Sequence, residues 1–144
     1  RKVVSGETIL FDRELRTSED RHLFLRLAKR GPFAFVDRVG GRVRRHDSNT
    51  THARNELRTS MNSVLALRKL LSDPVMFPLE AEERAAVDAA LRTGINDCLY
   101  QASRRGFREY LSTLAAHREG PLPGFAGRIR HAIRALAFSI KRPA

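Results

Sequence analysis

Few residues in this chain have types and spacing that could do chemistry. Glu19 and Asp20 stand side by side in TSEDRHLFLRLAKRG, residues 17–31. A carboxylate fixed at the mouth of a helix could act as a general base and take a proton from a hydroxyl. The same pair could instead only complement the free N–H groups and the positive end of the helix dipole. Ser18 and His22 share one helix face, as a nucleophile and its base would, but no third group to orient the histidine is evident. Helix capping is the plainer use of Ser18. The 5 histidines, at positions 22, 46, 52, 117 and 131, show no His-x-x-x-His spacing, so no metal site follows from spacing alone. Cys98 is the single cysteine and falls on an apolar stripe, as a small core residue does. It excludes an intramolecular disulfide and a multi-cysteine metal centre, and suits a reducing compartment. No glycine-rich phosphate cradle occurs; Gly40-Gly41 is a hairpin signal.

The elements that must position these groups can be read from periodicity. Residues 3–11, VVSGETILF, are expected to be extended around Gly6, and FDRELRTS to be a polar loop whose Asp12 and Glu14 are structural. Thr17 or Ser18 caps a helix running to about Arg30, with capping-box spacing between Thr17 and Asp20. Leu23, Leu27 and Ala28 form its expected buried stripe with Phe24 beside them, and Gly31 stops it. PFAFVD, residues 32–37, reads as a short strand, and GRVRRHD, residues 41–47, as a second.

From His52 onward the period is helical. Leu57, Met61, Val64, Leu67 and Leu71 share one face, and Pro74 and Pro78 mark a break. A second long helix places Val87, Leu91, Ile95, Cys98 and Ala102 together up to Gly106. A shorter one turns Phe107, Leu111 and Leu114 inward, and a last one runs from Phe125 to Lys141. The expectation is an α/β N-terminal third, helix plus short strands, followed by a mostly α-helical extension. The boundary divides residues 1–55 from residues 56–144.

At 144 residues the chain suits one ordinary domain, and its 42% hydrophobic and 30% charged content reads as globular rather than disordered. No apolar run approaches the roughly 18–20 residues that a membrane-spanning helix needs. The net charge of +11 is the footprint of a nucleic acid, an anionic membrane or a phosphate-bearing substrate. Nearly all the basic residues are Arg, and with many Ala and Leu that bias also fits plain coding composition. The chain opens on Arg1 and enters an extended apolar run at once, which leads us to expect a piece of something longer. Its first residues lack the apolar core and small residues of a secretion signal.

Residues 18–51, SEDRHLFLRLAKRGPFAFVDRVGGRVRRHDSNTT, resemble the acceptor-side half of a family 2 glycosyltransferase of the GT-A fold. Such enzymes show an acidic pair, an apolar helix with Leu and Arg, a Gly, a FAFVD-like strand and an Arg-x-His-x-x-Asn stretch. The matching residues stand here in order: Glu19-Asp20, Leu25-Arg26-Leu27, Gly31, Phe33 to Asp37, and Arg44-x-His46-x-x-Asn49. Phe11 and Asp12 fit the approach to the acidic pair. Val43 stands where an aromatic is common, and the nucleotide-binding half with its Asp-x-Asp metal motif is not in this sequence.

The resemblance implies that Asp20 is the base that deprotonates the acceptor hydroxyl, with Glu19 orienting the acceptor or sharing the site. It implies that Arg44 binds the donor diphosphate through its fork of donors, and that His46 contacts the diphosphate or its divalent metal, Mg or Mn. Read without it, Arg44 is solvated charge and His46 a surface histidine. The implied reaction is inverting transfer from a nucleoside-diphosphate sugar to a saccharide or lipid-linked acceptor in polysaccharide or cell-envelope synthesis. The implied location is cytoplasmic, peripheral on the inner face of the cell membrane. The isolated chain, as a C-terminal portion, should neither bind a nucleotide sugar well nor turn over.

The last helix has two readings. Phe125, Ile129, Ile133, Leu136 and Ile140 make one apolar face, with Arg128, Arg130, His131, Arg134 and Lys141 around the rest. That face either packs on neighbouring helices or makes weak contact with anionic lipid through residues 125–141. The alternative for the whole chain is a basic helical nucleic-acid-binding module. It would explain the charge, but no DNA- or RNA-binding signature is present and stacking aromatics are scarce, so no nucleic acid is expected as a partner.

Overall fold

The computed structural model describes residues 2–4, 7–42 and 55–140. Two three-residue strands, β1 (Lys2–Val4) and β2 (Glu7–Ile9), pair antiparallel with Val3 opposite Thr8. Five helices follow: α1 (Glu19–Ala28), α2 (Glu56–Ser72), α3 (Ala81–Ser103), α4 (Phe107–Ala116) and α5 (Phe125–Ile140).

The expected α/β third does not form. Residues 32–37 adopt no strand, and Phe35 and Val39 are 89% and 86% exposed. The reason is a missing partner: a β-run needs a neighbouring ladder to satisfy its backbone, and no other strand of the described residues lies beside this one. Its Phe33 instead meets Phe24 edge-on, with ring centroids 6.4 Å apart. The second expected strand begins at Gly41-Arg42, which are not extended-paired, and continues outside the described residues. Apart from the β1–β2 pair, the regular secondary structure of the described residues is helical.

The centre of the molecule is α3, whose 23 residues bury Leu91, Ile95, Cys98, Leu99, Ala102 and Ser103. A capping box starts it: the Glu80 N–H donates to Glu83 Oε2 at 2.9 Å, and the Glu80 side chain accepts from the backbone of Glu83. Against it α2 buries Leu57, Val64, Ala66, Leu67 and Leu70. The two backbones approach closely at Gly94, where a Cβ would lie 3.0 Å from Val64 Cγ2. The expected α2 face is right for Leu57, Val64 and Leu67; Met61 is exposed, and Leu70 rather than Leu71 occupies the deep position.

Gly106 is the N-cap of α4, and its φ of +131° is a value that favours glycine. The helix turns Tyr110 and Thr113 inward, where Phe107, Leu111 and Leu114 were expected; Leu111 is exposed and the other two lie at the core's edge. The hydroxyl of Tyr110 donates to the Arg128 carbonyl at 2.9 Å, and Ser139 Oγ accepts the Phe107 N–H at 2.9 Å. These polar bonds seat α5 with His131 and Ala135 inward. Its apolar face is left outside.

Several bonds cross the sequence boundary near residue 55. Lys69 on α2 pairs with Asp12 at 2.8 Å and with Glu14 at 2.6 Å, and Lys29 pairs with Glu83 at 2.7 Å. Leu15 is buried and Leu25 packs on the core cluster.

Candidate functional site

The acidic pair opens α1, but not as a capping box. Ser18 occupies the N-cap in the left-handed region at φ 67°, and its side chain caps nothing. Its hydroxyl instead shares a 2.9 Å hydrogen bond with Ser63 on α2. A non-glycine residue held at positive φ costs roughly 1 kcal/mol or more and persists only where its surroundings fix it. Here that strain sits immediately before Glu19-Asp20. Asp20 is exposed, with Oδ1 accepting the Arg21 N–H at 2.7 Å. Glu19 is half-buried, and its Oε2 is buried without a hydrogen-bond partner, as is Oγ1 of the neighbouring Thr17. One carboxylate therefore faces outward while the other points an unsatisfied oxygen inward.

The expected stripe on α1 is displaced. His22, not Leu23 or Leu27, is the buried residue of the helix, and Ala28 is exposed. His22 lines a cleft of about 270 Å³ with Asp12, Arg26, Lys69, Asp73 and Phe77. The hydrogen bond from Lys69, helped by the Glu14 N–H, holds the Asp12 carboxyl below its ordinary range, and Lys69 is raised in turn by Asp12 and Glu14. Burial, then the Arg26 charge, pushes His22 down, with Asp12 pulling weakly the other way. Its Nδ1 is buried and unpartnered. Ser18 and His22 are not brought into a nucleophile–base pair, because the serine is engaged by Ser63. The cleft gathers the Asp12–Lys69 ion pair, Arg26, Asp73 and the buried His22 around one opening. Its construction escaped the sequence reading because Asp12 and Lys69 lie far apart in the chain, and no local pattern joins them.

His22 shares its state with two other buried histidines. His117 is lowered by burial and then by Arg68, and His131 by burial and then by Arg134 and Arg130. The geometry at His131 fixes a neutral ring: Nε2 lies 3.1 Å from Asn96 Oδ1, so it donates, and Nδ1 accepts from Arg134 at 3.4 Å. Because all three are harder to protonate folded than unfolded, their stabilisation is whole above the ordinary value of 6.5 and is lost as pH falls below it. The melting temperature should hold level near pH 8 and drop steadily from about pH 6.5 toward about pH 5. A flat or rising profile over that range would overturn this account of the three rings.

Arg44 and His46 lie outside the described residues. Among the described residues, no group of three or more His, Cys, Asp or Glu could hold a metal ion. His46, the metal contact that the resemblance implies, is not among those residues. Cys98 is fully buried and its thiol is pushed up to about 12 by burial, so it is a core residue and no nucleophile. No described helix is long and apolar enough to cross a membrane. Comparison of the chain with protein-family models, with curated proteins and with solved structures finds no match.

Proposed function

We propose that this chain is the acceptor-side portion of an inverting glycosyltransferase that uses a nucleoside-diphosphate sugar. The observation that carries the reading is the strained Ser18 backbone directly ahead of an exposed Asp20. An ordinary helix start would use the serine hydroxyl as a cap, whereas here Ser18 is tethered to α2 and fixes the direction in which the acidic pair leaves the helix end. The order of the motifs from Glu19 to Asn49 supports the same assignment.

In this mechanism Asp20 accepts the proton of the acceptor hydroxyl, and the oxygen attacks the anomeric carbon. The bond from that carbon to the diphosphate breaks, and the nucleoside diphosphate leaves with the electron pair. One displacement inverts the anomeric centre. Asp20 is exposed, and proton removal by a positioned base is worth about 10²–10⁴-fold. Glu19 sets the acceptor's orientation, and the cleft of Asp12, His22, Arg26 and Lys69 receives neighbouring sugar hydroxyls. The acceptor is a saccharide or a lipid-linked glycan, and the enzyme works in the cytoplasm against the inner face of the membrane.

The test is release of nucleoside diphosphate by the full-length protein from a panel of nucleotide sugars, with and without oligosaccharide acceptors. Acceptor-dependent release from at least one donor is the expected result; none from any donor defeats the proposal. On the donor side, Arg44→Ala and His46→Ala should each raise the Michaelis constant for the donor more than that for the acceptor. A change confined to the acceptor constant would move that segment to the other side of the site.

A further inference from the structure

Helix α5 is seated with the larger of its apolar faces outward. At about 100° per residue, Phe125, Ile129, Ile133, Leu136 and Ile140 fall in one arc about 80° wide. In an ordinary packed helix that arc would meet the core. Here His131 and Ala135 meet it, while Phe125, Ile133 and Ile140 are 72%, 62% and 80% exposed. The face continues across a groove of about 290 Å³ onto α4, where Leu111 and Leu114 line it with Phe107 and Tyr110.

The charge on α5 has one sign. Residues 125–140 contain Arg128, Arg130 and Arg134 and no carboxylate. Arg128 and Arg130 stand about 100° to either side of the apolar arc's centre; Arg130 is exposed, while Arg128 is partly buried along the groove, with its Nε out of solvent, so its stem covers the apolar boundary. Arg134 lies further round, its guanidinium 4.7 Å from the Tyr100 ring centre.

We infer that the α4–α5 face docks on an anionic lipid surface, with α5 lying in the plane of the interface. An apolar arc flanked by cations is the pattern of an interfacial helix. A second copy of the chain is a poorer occupant, because a two-fold contact through α5 would bring like-charged arginines together with no carboxylate on either helix to pair them. A nucleic acid would take the arginines but leave the isoleucine arc in water. The inference stands on the exposed face and its charge, independently of the glycosyl-transfer reading.

Vesicle flotation of the full-length protein tests it. Binding should be strong to phosphatidylcholine vesicles carrying about 30% phosphatidylglycerol and at least about tenfold weaker to phosphatidylcholine alone. Raising salt from about 0.1 M to about 1 M shortens the screening length from about 10 Å to about 3 Å and should weaken the anionic binding at least about tenfold. The double variant I133S/I140S changes side chains that are 62% and 80% exposed, so it should keep its circular dichroism and melting temperature while losing most of the lipid binding. Equal binding to both vesicles, binding to neither, or full binding by the folded double variant overturns the inference. So does a lipid-free dimer, seen by sedimentation, that the double variant abolishes.

Discussion

Replacing Asp20 with Asn should lower turnover of the full-length enzyme at least about 10²-fold while donor affinity stays near normal. The substitution is nearly isosteric. The Asn side-chain oxygen can still accept the Arg21 N–H that Oδ1 accepts at 2.7 Å, and the position is exposed, so neither the helix start nor the core is disturbed. What is lost is the capacity to take a proton. A base that acts only as the hydroxyl attacks is felt in the transition state and not in the bound donor, so the loss should appear in kcat and leave the donor's dissociation constant alone. Steady-state rates beside donor-binding calorimetry read both. Near-normal turnover would mean that Asp20 only complements the helix dipole, a role that Asn at an exposed helix start could largely spare.

The largest effect on stability should come from Leu99→Ala. Leu99 is completely buried within the cluster that joins α2, α3, α4 and α5. Truncating it removes transfer free energy and leaves a cavity, at a cost of about 2–5 kcal/mol. A domain's whole stability is about 5–15 kcal/mol, so the melting temperature should fall on the order of 10 °C. Ile133→Ala is the contrast. Leucine and isoleucine carry similar apolar bulk, but Ile133 faces solvent, so its removal should cost less than about 0.5 kcal/mol. Thermal melts of the two variants side by side test the seating of α5 directly. A cost at Ile133 as large as that at Leu99 would mean that the isoleucine arc, not His131 and Ala135, faces the core.

That contrast also shows where the sequence is decisive and where it is silent. The long helices were legible because their apolar residues recur at helical spacing over many turns. Leu57, Val64 and Leu67, and then Leu91, Ile95, Cys98 and Ala102, lie where that period puts them. The break at Pro74 and the junction at Gly106 follow from local backbone chemistry, which needs no tertiary partner. The acidic pair was legible as a helix start for the same reason.

What tertiary structure decided is which face meets which neighbour. PFAFVD has strand-like residues, but a strand is a pairwise object, and among the described residues β1 and β2 pair only with each other. Helix α5 has a stronger apolar face than the one it buries. Its seating is fixed instead by polar bonds between residues distant in sequence: Tyr110 to the Arg128 carbonyl, His131 to Asn96, and the Phe107 N–H to Ser139. The cleft beside α1 depends likewise on Lys69 reaching back to Asp12 and Glu14. Hydrophobic period determines that a helix forms and carries an apolar side. It does not determine what that side touches, because burial is non-directional while hydrogen bonds and ion pairs between distant residues are not.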